Sequence, residues 1–480
     1  MELLHLVLSV TIGALVLDLL VFHVLSKWNE IRYRVTCKSP LPGLPPGTMG
    51  WPLIGESISF LKRGPDFVTA HRTRYGNIFK THLFGKPTVV CTDSEVNKYI
   101  LISESKGNFL LGYPRTFFEM IGKWSTLSLY NSEHKAMRGA LISLVNGPAL
   151  RDRVLPKIDE FMQSYLHNWT DKILDFQKKS NESILLLILK LVASKEENIP
   201  STKELEEALH QVFLTFFSPA INLPGTTYNK GLKARRKLVQ MLGNIIEERR
   251  ASICSRHNDI LDTLLENSEY SKNSVIQFTD EQIIDQIFGI VLSGYATTSY
   301  VLMMAVKYLH DHPHVQDELR KENLEIRKGR PENYTINWDD YKCMSFNRAV
   351  VMETLRMTSV PGFFRRTTED FEIKGYIIPK GWRIFICTIE TNKDLDIYPE
   401  PLKFNPWRWL KSNLESHQHS MLFGGGARLC PGKELGILEI SIFLHYLVTR
   451  YRWEEVGENK IVTFPKVEAP NGLYFRFHDL

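Results

Sequence analysis

A mainly α-helical fold with a minor β region, reached through an apolar N-terminal segment, is what this sequence predicts. Three observations carry it: helical apolar spacing over most of 156–251, a long apolar run after Asp280, and short β-rich stretches at 86–99 and 371–389. The first element is apolar. Residues 3–25 are mostly Leu, Val, Ile and Ala, close to the ~20 residues a membrane-spanning helix needs. Lys27, Arg32, Arg34 and Lys38 follow it and only Glu2 precedes it, so the positive-inside rule places the rest of the chain in the cytosol. Residues 40–55 contain Leu41-Pro-Gly-Leu-Pro-Pro-Gly47 and Trp51-Pro, a stiff extended hinge that cannot continue a helix.

Beyond the hinge the composition is even, which predicts one folded unit over 56–480. Residues 86–99 read as strand and turn. The Asp280-Glu-Gln-Ile-Ile start opens a helix of about 30 residues, some 45 Å at the ~1.5 Å rise per residue. A second helix is expected from Asn347 to Met357, and a hairpin sheet over 371–389, broken at Pro379-Lys-Gly381.

Composition bounds the function. Hydrophobic content of 43% and charged content of 24% are ordinary for a globular protein, and a net charge of +5 is mild for 480 residues. The basic run Lys233-Ala-Arg-Arg-Lys237 reads as a solvated helix face, and with no nucleic-acid motif present, nucleic acid is set aside. The six cysteines, Cys37, Cys91, Cys254, Cys343, Cys387 and Cys430, form no CxxC pair and read as reduced.

One of them stands in a distinctive setting, Phe423-Gly-Gly-Gly-Ala-Arg-Leu-Cys430-Pro-Gly432. Backbone N–H groups at a helix start favour a thiolate. The glycines allow a tight loop and close approach of something flat, Phe423 offers an aromatic face, and Arg428 a cation for a carboxylate. These are the requirements of an axial thiolate to haem iron.

Phe423, Gly426, Arg428, Cys430 and Gly432 fill every fixed position of F-x-x-G-x-R-x-C-x-G, and here the chain resembles the cytochrome P450 superfamily. The resemblance implies a single large helical domain with a small β region, haem b held by the Cys430 thiolate, Arg428 on a haem propionate and Phe423 shielding the sulfur. It makes Glu353-x-x-Arg356, with Arg408 of Phe404-Asn-Pro-Trp-Arg-Trp, a buried structural charge triad. His134, where the family usually has Trp, Arg138 and Arg365 become further propionate contacts. Ser293-Gly294-Tyr295-Ala296-Thr297-Thr298 matches the oxygen-side motif, with Gly294 admitting the flat cofactor and Thr297 and Thr298 as the catalytic threonines. Thr297 can hydrogen-bond a carbonyl one turn back. The motif departs from the family at Ala296, where an acid normally serves the proton relay.

From about Ser293 to Glu455 the chain is similar to plant brassinosteroid 6-oxidases, on Ala305-Val-Lys-Tyr-Leu-His-Asp-His-Pro, Ile378-Pro-Lys-Gly-Trp-Arg and Cys430-Pro-Gly-Lys-Glu-Leu-Gly. This implies a monooxygenase acting on a lipophilic steroid-like or terpenoid substrate at the endoplasmic reticulum membrane, through a single-pass anchor with the catalytic domain cytosolic. Electrons would come from NADPH through a diflavin reductase docking near Lys135 and Lys433. Pocket walls are expected at Leu292, Ser293, Val360 and Phe363 and near Leu110 to Trp124. The alternative is a haem-thiolate enzyme of non-standard chemistry (rearrangement, dehydration or isomerisation), suggested by Ala296.

Overall fold

The structure, a computed structural model, describes residues 2–34, 43–194, 202–251, 257–266, 278–331, 333–358, 360–411, 414–417 and 420–480. Its contacts resolve two compact units. One comprises Met1–Tyr113, Val360–Thr391 and Gly425–Arg428; the other comprises Pro114–Ser359, Asn392–Gly424 and Leu429–Leu480.

The first unit opens with helix α1 (Glu2–Arg34), which covers the expected apolar segment. Leu15, Leu17 and Leu20 on it are exposed. Near its end the buried Asn29 side chain donates to the Met49 carbonyl at 3.1 Å, tying the helix to the proline-rich segment. Of that hinge, residues 40–42 lie outside the described residues.

A five-stranded sheet is built from β1 (Ile78–Leu83), β2 (Lys86–Cys91), β3 (Phe109–Leu111), β5 (Gly362–Thr367) and β8 (Arg383–Cys387), in the order β1-β2-β8-β5-β3. The strand expected at 86–99 ends at Cys91. Asp93 accepts the N–H of Val96 and so caps helix α2 (Ser94–Ser103). The 371–389 stretch is also not one hairpin. The turn falls at Lys374 and Gly375, both left-handed at φ +46° and +81°, and joins β6 (Phe371–Ile373) to β7 (Tyr376–Ile378). A Lys-Gly pair accepts the positive φ angles of a tight hairpin, which proline at 379 cannot. Past Pro379 the chain enters the larger sheet, β8 pairing parallel with β2 and antiparallel with β5.

The second unit carries the helices that matter for function: α3 (Asn131–Leu144), α4 (Phe176–Ala193), α5 (Thr202–Thr215), α6 (Thr227–Ala251), α7 (Asp280–Asp311), α8 (Ser345–Met357) and α9 (Lys433–Arg450). A small sheet, β4 (Ile173–Asp175), β10 (Tyr474–Asp479) and β9 (Tyr451–Glu455), completes it. Helix α7 starts at a capping box, Thr279 and Gln282 each accepting the other's backbone N–H. It runs 32 residues and packs against α4, α8 and α9. Its most apolar window is long enough to cross a membrane but 61% buried, so among the described residues it is a core helix. The basic run at 233–237 lies on α6, where Arg235 pairs with Asp285 and Lys237 with Glu204, each at 2.7 Å.

Candidate functional site

The Phe423–Cys430 loop is closed by one bond, from the Cys430 N–H to the Phe423 carbonyl at 3.0 Å. Two of its glycines permit close packing within the protein. A Cβ on Gly426, which sits at φ +61°, would lie 2.1 Å from the Leu101 carbonyl oxygen, and one on Gly425 would lie 3.3 Å from the Leu101 side chain. The close approach is therefore to the end of α2. Gly432 faces the sulfur instead, since a Cβ there would sit 4.0 Å from Cys430 Sγ.

Cys430 has an exposed surface, yet protein crowds it closely enough that desolvation raises its thiol pKa. The Gly432 N–H and the Arg138 charge pull the other way. A soft donor at a helix start, with an N–H and a guanidinium directed at it, fits the proximal ligand of a haem. Arg138 shares α3 with His134, one turn earlier and buried.

On α7 the bond expected from Thr297 is formed, Oγ1 donating to the Ser293 carbonyl at 2.8 Å, and both residues are exposed. Thr298, the next residue, is buried against α9, where a Cβ on Gly436 would lie 3.6 Å from its hydroxyl. Gly294 is also a close-packing position. A Cβ there would meet Ile188 Cδ1 at 2.7 Å, so the missing side chain lets α4 pack close. Leu292 and Ser293 project from different faces of α7, because successive helix positions diverge by about 100°. Leu292 lines a small cavity with Ala296, Tyr295, His210, Phe213 and Lys466, whereas Ser293 lies with Thr297.

The triad is formed and fully served. Glu353 receives Arg356 through two bonds of 2.9 Å and Arg408 at 3.1 Å. It also accepts the Asn405 N–H and the Trp409 indole N–H, both at 2.9 Å. The guanidiniums spend further donors on the carbonyls of Asn392 and Pro399. With the carboxylate paired and the remaining guanidinium donors spent on carbonyls, burying the group is tolerable. Asn405 and Trp409 belong to the Phe404-Asn-Pro-Trp-Arg-Trp motif, and the donor chemistry there could have identified them. A second ion cluster ties α8 to the start of α9. Arg348 pairs with Glu415 and Glu434, and its hydrogen bonds are the chief reason that the Glu415 carboxyl is pushed down to about 2. Lys433 joins that cluster, 2.9 Å from Glu415, while Lys135 is exposed.

In the first unit, Arg365 and Arg428 converge on one carboxylate. Arg365 Nε donates to Glu104 Oε2 and Arg428 Nε to Glu104 Oε1, each at 2.8 Å. Two of the three expected propionate arginines are thus organised by an acid that no sequence signal marked. Two guanidiniums against one carboxylate leave a net positive charge, which suits a cofactor bearing carboxylates. Val360 and Phe363 lie in the same unit, Val360 at the surface and Phe363 on β5.

The cytochrome P450 family model matches residues 45–473. Cytochrome P450 85A1 of Brachypodium distachyon is 50% identical over 98% of this chain and 99% of its own length. The Arabidopsis thaliana protein of the same name is 45% identical, covering 98% of each chain. Cholesterol 22-hydroxylase CYP90B27 of Paris polyphylla is 33% identical over 92% of this chain and 93% of its own. The retinoic acid-bound cyanobacterial CYP120A1 superposes with a TM-score of 0.82 at 27% identity, over 92% of this chain and all of that one. A cysteine loop at a helix start, a fully bonded Glu-Arg-Arg triad and these matches lead to one conclusion: the chain belongs to the cytochrome P450 family and is a haem-thiolate monooxygenase.

Proposed function

We propose that this enzyme oxidises a steroid-like, lipophilic substrate of the kind handled by brassinosteroid 6-oxidases. The observation that carries the reading is 50% identity over nearly the whole chain to cytochrome P450 85A1, with a named sterol hydroxylase also related at 33%. When bound, haem supplies dioxygen activation and insertion of one oxygen atom into a carbon–hydrogen bond.

This chain's residues do the rest. Cys430 ligates the iron, and the Gly432 N–H and Arg138 favour its thiolate. Phe423 shields the sulfur, while Arg138, Arg365, Arg428 and His134 serve the propionates. Glu353, Arg356 and Arg408 hold the loop's surroundings rigid and touch no substrate. Thr297 positions water on the oxygen side, its hydroxyl fixed by Ser293. Leu292, Ser293, Val360 and Phe363 contribute to the substrate walls.

Residues 3–25 anchor the enzyme in the endoplasmic reticulum membrane and 40–55 form the hinge, with 56–480 as the cytosolic catalytic domain. The exposed apolar side chains of α1 support this placement. NADPH delivers electrons through a diflavin reductase. Titrating the purified enzyme with a panel of sterols, brassinosteroid precursors and terpenoids, and following the haem spin state, tests the substrate class. The reading expects saturable shifts confined to rigid steroid skeletons. Shifts with terpenoids alone would overturn it.

A further inference from the structure

Glu104 stands where three stretches of the first unit meet. It is the residue after α2, at the start of a short helical turn (Glu104–Lys106), and it is buried. Packing on two sides fixes that position. Gly426 of the cysteine loop lies against the Leu101 carbonyl, one turn back on α2, and β3 pairs Leu111 with Arg365 of β5. Glu104 thus bridges the strand and the loop that carry the two arginines, giving each Nε–H one carboxylate oxygen at 2.8 Å. Arg365 spends Nη1 on the Phe364 carbonyl at 3.1 Å. Its Nη2 forms no bond among the described residues, although the residue is only 2% exposed. An uncommitted donor on a buried guanidinium calls for an acceptor, which a propionate carboxylate supplies.

Two neighbouring buried guanidiniums repel each other and need counter-charge. Glu104 answers one of the two positive charges and leaves the other for the cofactor. We infer that Glu104 is a positioning residue that sets the net charge of the propionate site and, through the two arginines, the reduction potential of the bound haem. The sign follows from electrostatics: a positive charge left unanswered nearby favours the ferrous state. Reduction adds one electron to the iron, with no proton transferred and no bond made or broken. The inference rests on the reading of Arg365 and Arg428 as propionate partners given above.

Redox titration of the purified, substrate-free holoenzyme with dithionite tests it. Glu104→Gln keeps the size and removes the charge. The ferrous-to-ferric ratio at a fixed poise should rise about tenfold (~59 mV for a one-electron couple). Glu104→Asp keeps the charge but shortens the reach, and should titrate close to wild type. A merely structural role would move Glu104→Asp at least as far as Glu104→Gln. An unchanged potential in Glu104→Gln, or equal shifts in the two variants, overturns the proposal. Arg428→Gln tests the propionate reading separately, because losing a cation should lower the ratio about tenfold. If only Arg428→Gln moves the potential, the proposal alone fails. If neither variant moves it, the propionate reading fails and the proposal with it. Should Glu104→Gln not fold, the double variant Glu104→Gln with Arg365→Gln carries the test, since it removes one charge of each sign. It should fold and titrate as wild type, and a displaced potential would overturn the proposal.

Discussion

Glu353 shows how a single side chain can be held by charges that would otherwise be prohibitive. Its carboxylate accepts from two arginines, an indole and a backbone amide, and it is wholly buried. Replacing it by Ala strands two buried guanidiniums. The expected loss is about 3–5 kcal/mol of stability, the usual result of breaking a buried pair. Chemical denaturation of the purified variant checks it, and a loss below about 1 kcal/mol would mean that the arginines find other partners. The Glu353-x-x-Arg356 pair was legible through the family resemblance and its place ahead of Phe404-Asn-Pro-Trp-Arg-Trp and Cys430, since the spacing alone is common in helices. Glu104 was not, because it meets Arg365 and Arg428 from 261 and 324 residues away and nothing local marks it.

At the level of elements, the glycines of the cysteine loop separate backbone demands from cofactor demands. Gly426→Ala would force a left-handed alanine into the Leu101 carbonyl. Strain of about 1–3 kcal/mol for the backbone alone is expected, plus displacement of the end of α2. Thermal unfolding with and without haem checks this: the loss should appear in both states if the contact is with α2. Gly294→Ala differs in kind. The clash there is with the mobile end of Ile188, and about 1 kcal/mol of regained helix propensity offsets it, so little change in Tm is expected. Long helices such as α7 were readable from an acidic start at Asp280 and the long apolar run after it. Strand partners were not: the parallel pairing of β8 with β2 joins residues some 300 positions apart. The motif order in sequence likewise says which residues the site uses, but not that Leu292 and Ser293 point to different faces.

For the whole molecule, pH dependence follows from three buried groups. Burial chiefly lowers the pKa of His82 to about 4 and of His445 to about 3, from 6.5. Because these folded values are depressed, the unfolded chain binds more protons below pH 6.5, and stability falls with pH in that window. Each histidine contributes about 1.4 kcal/mol per pH unit. Glu439, raised to about 8 from 4.5, works oppositely, removing stability as pH rises between those values. Two histidines outweigh one carboxyl below 6.5, and above it Glu439 is joined by His71, whose raised pKa likewise removes stability as pH rises. Tm measured across pH should therefore peak near 6.5, and a flat profile from 4.5 to 8 would show that these groups are solvated. At the same scale, deleting residues 2–34 should move the enzyme from the membrane to the soluble fraction, as fractionation of expressing cells would reveal.

Most direct of all is the spectrum of the reduced, carbon monoxide-bound protein, compared between wild type and Cys430→Ser. Wild type should show the red-shifted Soret band of a thiolate-ligated haem and the variant should lose it, with helical circular dichroism retained. The same red-shifted band persisting in Cys430→Ser would contradict the assignment of Cys430 as the iron's ligand.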